Sequence, residues 1–212
     1  MKRFYFIILF VLISCYDDDS QVVESEDTAH RSSELTAMIK SMSLHNTSFD
    51  DHIDNTPCFS LVFPYQVNVN SNLTTITSIQ DLSELSNSEE IEIVYPVTSV
   101  FFNYEEHEIS SSSNLDELKN ICNQDFNIQP NNCFDFVFPL TVKRFNELNG
   151  SFETFHLEND KEVFTHFDNL HDTHVYQLSY PINLISSNSD TLVVNSNEAF
   201  KATIDSSPLD CQ

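Results

Sequence analysis

Four prolines, each preceded by an aromatic residue and each lying inside a β-rich run, constrain this chain more than any other feature. "CFSLVFPYQVNV" starts at Cys58, "IEIVYPVTSV" at Ile91, "CFDFVFPLTV" at Cys133 and "VYQLSYPINL" at Val175. The pairs are Phe63-Pro64, Tyr95-Pro96, Phe138-Pro139 and Tyr180-Pro181. Proline has no N–H to donate to a sheet ladder, so it belongs at an edge or a bend. It also pushes the residue before it toward extended backbone. After each pair comes a polar turn and a second β-rich segment: "TTITS", "HEISS", "FETFHLEN" and "TLVVNS". Helical starts come next in "SIQDLSEL", "SNLDELKNI", "NDKEVFTHF" and "NSNEAFKATI", where Ser, Asn or Asp precedes an acidic first turn. Recurrence at this period marks a repeated supersecondary unit, here strand, strand, helix.

One such unit cannot bury its own apolar face, so units should pair. The chain is therefore expected to be α+β: two tandem modules, 58–122 and 133–211. Each would be a four-stranded antiparallel sheet with two helices (ββαββα). Ahead of them, 34–57 reads as an N-terminal helix and linker. "SSELTAMIKSMSLHN" places Leu35, Met38, Ile39 and Met42 at helical spacing, and this helix is expected to cap the first module or pack against it.

Cysteines frame the modules. Cys58 and Cys133 each lie six residues before a proline, while Cys122 and Cys211 fall at or just beyond a module's last helix. An even set in an exported chain reads as disulfides. The repeat favours Cys58–Cys122 and Cys133–Cys211, each closing a loop and contributing about 4 kcal/mol on the chain-entropy model. Cys122–Cys133 with Cys58–Cys211 is the competing arrangement.

Export is read from the first residues. Lys2 and Arg3 precede an apolar run from Phe4 to Ile13, too short for a bilayer core that takes roughly 20 helical residues. Residues 1–14 therefore read as a signal peptide. It ends Leu12-Ile13-Ser14-Cys15, which resembles a bacterial lipobox and makes Cys15 the lipidated residue. Several acyl chains on one residue anchor stably, since each buried CH₂ contributes about 0.8 kcal/mol. Residues 15–33 become anchor and acidic tether. Asp17, Asp18 and Asp19 directly after Cys15 resemble an export signal to the outer face of the outer membrane. Retention on the periplasmic face is the alternative.

The segment "SELTAMIKSMSLHNTSFDDHIDNTPCFSLVFPYQV", with "CFDFVFPLTV" and "SYPINL", resembles a family of uncharacterised bacterial surface lipoproteins with repeated aromatic-Pro β-hairpin and helix units. The resemblance covers most of the mature chain and implies the same architecture; it implies no activity. Hairpin turns in that family usually carry Asp-Gly, whereas this chain has "NVNSNL", "NYEEHE" and "SSNSDT".

Composition narrows function further. The formal charge is −24, more negative still without Lys2 and Arg3, so nucleic acid and anionic lipid headgroups are repelled. With 18 Phe and 7 Tyr among 40% hydrophobic residues, the chain has material for a folded core. A single Gly excludes Gly-rich phosphate loops and leaves turns to Asn, Asp and Ser. No G-x-S-x-G or H-E-x-x-H occurs, and no cofactor or catalytic residue is expected. Adjacent acids such as Glu89-Glu90 and Glu105-Glu106 are to be expected among 33.

"HFDNLHDTH" is the densest metal-like stretch, with His166, Asp168, His171, Asp172 and His174, though its spacing matches no familiar ligand pattern. "SFDDHIDN" offers Asp50, Asp51, His52 and Asp54 but lacks the Gly and distal Glu of a calcium loop, and reads as solvated linker. Tyr65, Phe101, Phe102 and Tyr104 exceed what one sheet face needs and are candidates for partner binding. The leading expectation is a lipid-anchored, non-enzymatic module that binds a protein or glycan. A structural or assembly role in the envelope is the alternative, and a hydrolase is a distant third.

Overall fold

The computed structural model describes residues 28–85, 90–125, 131, 133–146 and 149–206. Residues 1–14, expected to be a signal peptide, together with Cys15 and Asp17 to Asp19, lie outside these residues. The described chain opens with β1 (Ala29–His30) and α1 (Glu34–Met42). A 3-10 turn (Ser48–Asp50) then runs into α2 (Asp51–Asp54).

The prolines organise the rest of the chain. All four aromatic-Pro bonds are cis, and each divides its strand in two. The first unit is β2 (Phe59–Leu61), β3 (Tyr65–Val69), β4 (Asn72–Ile76) and α3 (Ile79–Ser83). The second is β5 (Ile91–Val94), β6 (Val97–Phe101), β7 (Glu106–Ile109) and α4 (Ser112–Asp125). The third is β8 (Phe134–Phe136), β9 (Leu140–Asn146), β10 (Ser151–Leu157) and α5 (Asp160–Asp168). The fourth is β11 (Val175–Leu178), β12 (Ile182–Ser186), β13 (Thr191–Val194) and α6 (Asn197–Asp205).

Register shows how units pair. A residue a given number of places after Pro64 faces the residue as many places before Pro96: Gln66 opposite Val94, Val67 opposite Ile93. On the other side of the prolines Leu61 faces Ser99 and Phe59 faces Phe101. Pro139 and Pro181 obey the same rule, with Val142 opposite Leu178 and Phe136 opposite Leu184. Two paired units are thus related by a local two-fold through their prolines.

That symmetry corrects the expected four-stranded sheets. The two prolines of a pair meet at the centre of the ladder, where neither can donate, so the ladder parts there. The first half (59–125) holds β4-β3-β5 and β2-β6-β7. The second (133–206) holds β13-β12-β8 and β11-β9-β10, the latter extended to four strands by β1 from ahead of the first half. A few backbone bonds sit beside the break: Val62 N–H to Thr98 O at 2.8 Å, Val137 N–H to Asn183 O at 3.0 Å and Ser179 N–H to Thr141 O at 2.9 Å. The described chain is therefore α+β, with six α-helices and four antiparallel sheets of three or four strands.

Helix starts fall where side-chain caps are supplied. Ser78, Asn159 and Ser196 accept from the backbone N–H three residues on, at 3.4, 3.0 and 3.1 Å. Asp81 and Glu162 reach back to the N–H of Thr77 and Glu158, which completes reciprocal caps. Turns use Asn70, Ser71 and Ser189 in the left-handed region, and Gly150 where the β9–β10 hairpin reverses.

Two hydrophobic clusters fill the halves. Phe59, Leu61, Val67, Ile76, Leu82 and Ile109 centre the first, and Phe136, Val142, Phe167, Tyr176, Leu184 and Phe200 the second. Helix α1 belongs to the second cluster, through Leu35, Ile39 and Met42; its expected place on the first module is corrected. Its apolar stripe meets α5 and α6, whose Val163, Phe167, Phe200 and Ile204 face the same cluster. β1 adds to the edge of β11, the Thr36 and Tyr176 hydroxyls bond at 2.8 Å, and Lys40 meets Asp168 at 2.6 Å.

Candidate functional site

Between the halves lies a polar cleft of about 410 Å³, lined among others by His45, Asn46, Tyr104, Asn131, Asp135 and Asp160. The segment after α1 holds it together from the first half. His45 N–H donates to Phe102 O at 2.8 Å, its Nε2 lies 3.0 Å from Ser60 Oγ, and the Tyr104 hydroxyl donates to Ser43 O at 3.0 Å. From the second half, Asp160 opens α5 and Asp135 sits mid-strand in β8. Tyr104 occupies left-handed backbone, with φ 65°, a conformation uncommon for a bulky residue. It spans the junction, with its ring 5.9 Å from that of Phe164 and Lys161 Nζ 6.0 Å from its centroid.

The cleft is electrostatically uneven. Burial, then the neighbouring Asp135, pushes the Asp160 carboxyl up to about 6. Burial, then Lys161, lowers the His45 imidazole. Burial, then Asp160, raises the Tyr104 phenol. Near neutral pH the site presents acids, amides and a neutral phenol, a set suited to hydroxyl-rich or cationic groups.

The four candidate binding aromatics do not form an exposed face. Tyr65 and Phe101 are buried, Phe101 packed 5.2 Å from Phe59; Phe102 and Tyr104 are half-buried. Alternation along β3 and β6 points Tyr65 and Phe101 into the first core, while Phe102 and Tyr104 lie in the turn beyond β6. Of the four, only Tyr104 lines the cleft. Among the described residues the large exposed aromatic is Phe152, 42% exposed, paired across the longest hairpin with Phe145 at 5.3 Å.

The histidine stretch is divided among separate tasks. Asp168 pairs with Lys40 and Asp172 with Arg31, and His174 Nδ1 accepts from His171 N–H at 2.9 Å. His166 packs 4.8 Å from Phe155, and burial, then Arg144 and His174, pushes it down to about 4. Among the described residues no three His, Cys, Asp or Glu side chains are grouped to hold a metal. Glu105 faces His107 and Glu106 faces Lys161, so those adjacent acids point to different partners.

Cys58 and Cys133 are disulfide-bonded; the side chain of Cys122 and all of Cys211 lie outside the described residues, and with them the pairing.

"SFDDHIDN" reverses its expected character. Asp50 and Asp54 are completely buried, not solvated. Asp50 Oδ2 accepts from Leu61 N–H at 2.7 Å, and Asp54 Oδ1 from Thr56 N–H at 3.0 Å. Burial first pushes their carboxyls up, Asp50 to about 7 and Asp54 to about 8, with Asp50 next in raising Asp54. The legible signal was spacing: residues four apart share a helical face, and Phe49 and Ile53 between and beside them pack on the first core.

The chain matches no protein-family model, no curated protein and no solved structure. Among the described residues no helix is long and apolar enough to cross a membrane.

Proposed function

We propose that this chain is a lipid-anchored envelope lipoprotein, exposed at the cell surface, whose two tandem ββαββα modules bind a glycan or protein partner without catalysing a reaction. Its main support is the cleft between the halves, where Asn46, Asn131, Asp135, Asp160 and Tyr104 meet. Carboxylates and amides exchange hydrogen bonds with ligand hydroxyls in a fixed geometry, and the −24 charge disfavours polyanionic partners. Cys15 supplies the tether and Asp17, Asp18 and Asp19 the outward address. The disulfides of Cys58 and Cys133 would close the modules through Cys122 and Cys211.

Two measurements test this. In cells, Cys15→Ala is expected to move the protein out of the membrane fraction and to abolish labelling by palmitate; unchanged fractionation overturns the anchor. On a glycan array, the wild type is expected to retain a subset of neutral or amine-bearing sugars, and Asp160→Asn to lose them by about tenfold, the effect of one charge-assisted hydrogen bond. Binding that survives Asp160→Asn removes the cleft from the reading.

The second reading, an assembly component of the envelope, draws on the exposed apolar residues Phe152, Ile185 and Val193. It predicts co-purification with envelope proteins that Phe152→Ser weakens and Asp160→Asn leaves intact.

A further inference from the structure

The first half holds a set of oxygens that neither its core nor the cleft uses. Asp50 and Asp54 have no solvent exposure, and Tyr65 has 4%. Each carboxylate has one oxygen fixed by a backbone N–H, from Leu61 and Thr56 respectively. The other oxygens, Asp50 Oδ1 and Asp54 Oδ2, are buried without a hydrogen-bond partner, and so is the Tyr65 hydroxyl. Asp50 and Asp54 both act electrostatically on Tyr65, and Asp50 on Asp54, so the three side chains share one neighbourhood. The phenol nevertheless donates to neither acid.

Buried polar atoms are almost always satisfied, and an unpartnered carboxylate oxygen inside a fold calls for an occupant. Among the described residues Lys119 is the one cation whose charge registers on Asp54, and none registers on Asp50. We propose that Asp50, Asp54 and Tyr65 form an interior site for a hard divalent cation of the calcium class, which ties the turn before the first sheet to β2 and β3. Such an ion takes six to eight oxygens at flexible geometry. Two carboxylates neutralise it, and the phenol, backbone carbonyls and water complete the shell. No third acid is required: Asp51 Oδ1 is also buried and unpartnered, and its charge acts on Asp50 and Asp54, but among the described residues no three acids are grouped closely enough to hold a metal. Asp50 and Asp54 lie four residues apart, the spacing that sets two side chains on one helical face.

Calorimetric titration of the purified full chain with calcium, after chelator treatment, tests the site. One saturable site is expected above the weak, salt-sensitive binding of the surface acids, together with a rise of several degrees in melting temperature. Asp54→Asn should abolish the single site and the rise. Tyr65→Phe, which keeps the aromatic packing, should weaken the site several-fold, and terbium luminescence excited through tyrosine should fall with it. If calcium and magnesium leave the melting temperature of the wild type unchanged, or if only weak multiple-site binding appears and Tyr65→Phe alters nothing, the space holds water and the proposal fails.

Discussion

In chelator, the protein is expected to become more stable as pH falls from about 8 to about 6.5, the reverse of ordinary acid destabilisation. Asp50 and Asp54 bind protons in the fold up to about 7 and about 8. In the unfolded chain they release them near the ordinary carboxylate value of about 3.9. Between those limits folding takes up protons, so stability contributed by these groups is full at low pH and disappears as pH rises through their folded values. The histidines act oppositely. His166, held down to about 4, and His45, also lowered, stay neutral in the fold while the unfolded chain protonates near about 6.5. Their contribution is lost as pH falls below that point, while Asp160, pushed up to about 6, partly offsets them. Denaturant titrations should therefore show a gain from pH 8 to pH 6.5 on the order of 3 kcal/mol after relaxation of the site, flattening at lower pH as the histidines oppose the continuing gain from Asp50, Asp54 and Asp160. Asp54→Asn should remove most of that slope and be the more stable protein at pH 8. A wild-type profile flat between pH 6.5 and 8 would show that these carboxylates are hydrated.

Truncating Ile39 to Ala is expected to destabilise the second half by about 2–5 kcal/mol and to leave the first half nearly untouched. Ile39 is fully buried in the cluster built by Phe136, Phe167, Tyr176 and Phe200. The void left on α1 adjoins α5 and α6, and rigid helices on either side limit how far it can close. Hydrogen exchange resolves the two halves: amides of β9, β11 and α5 should lose protection, while those of β3, β6 and β7 keep theirs. Equal loss in both halves would mean that the cleft couples them into one cooperative unit.

Much of the local structure is written in short-range pattern. Ser78, Asn159 and Ser196 announce three helices because a cap needs only its own side chain and the next turn. The strands of all four units are visible around their prolines, since the missing N–H acts wherever the residue lies. The symmetric register, by contrast, needed two distant segments to meet, and it is what splits each expected four-stranded sheet in two. Phe101 and Tyr104 show the limit for site residues. Both are hairpin aromatics three residues apart, yet Phe101 enters the core while Tyr104 bridges to Ser43 and Phe164.

Sequence alone determined the recurring aromatic-Pro segments with their strands and helix starts, the want of glycine that hands turns to Asn and Ser, and the strong acidity of the chain. Those properties depend on backbone chemistry within a few residues, which order along the chain expresses directly. Only the tertiary structure decided that α1 serves the second half, that Asp50 and Asp54 lie inside, and that Asp135 and Asp160 share a cleft with Tyr104. Each of those depends on which apolar surface wins the competition to be covered, and burial is a property of the whole packed molecule rather than of any stretch within it.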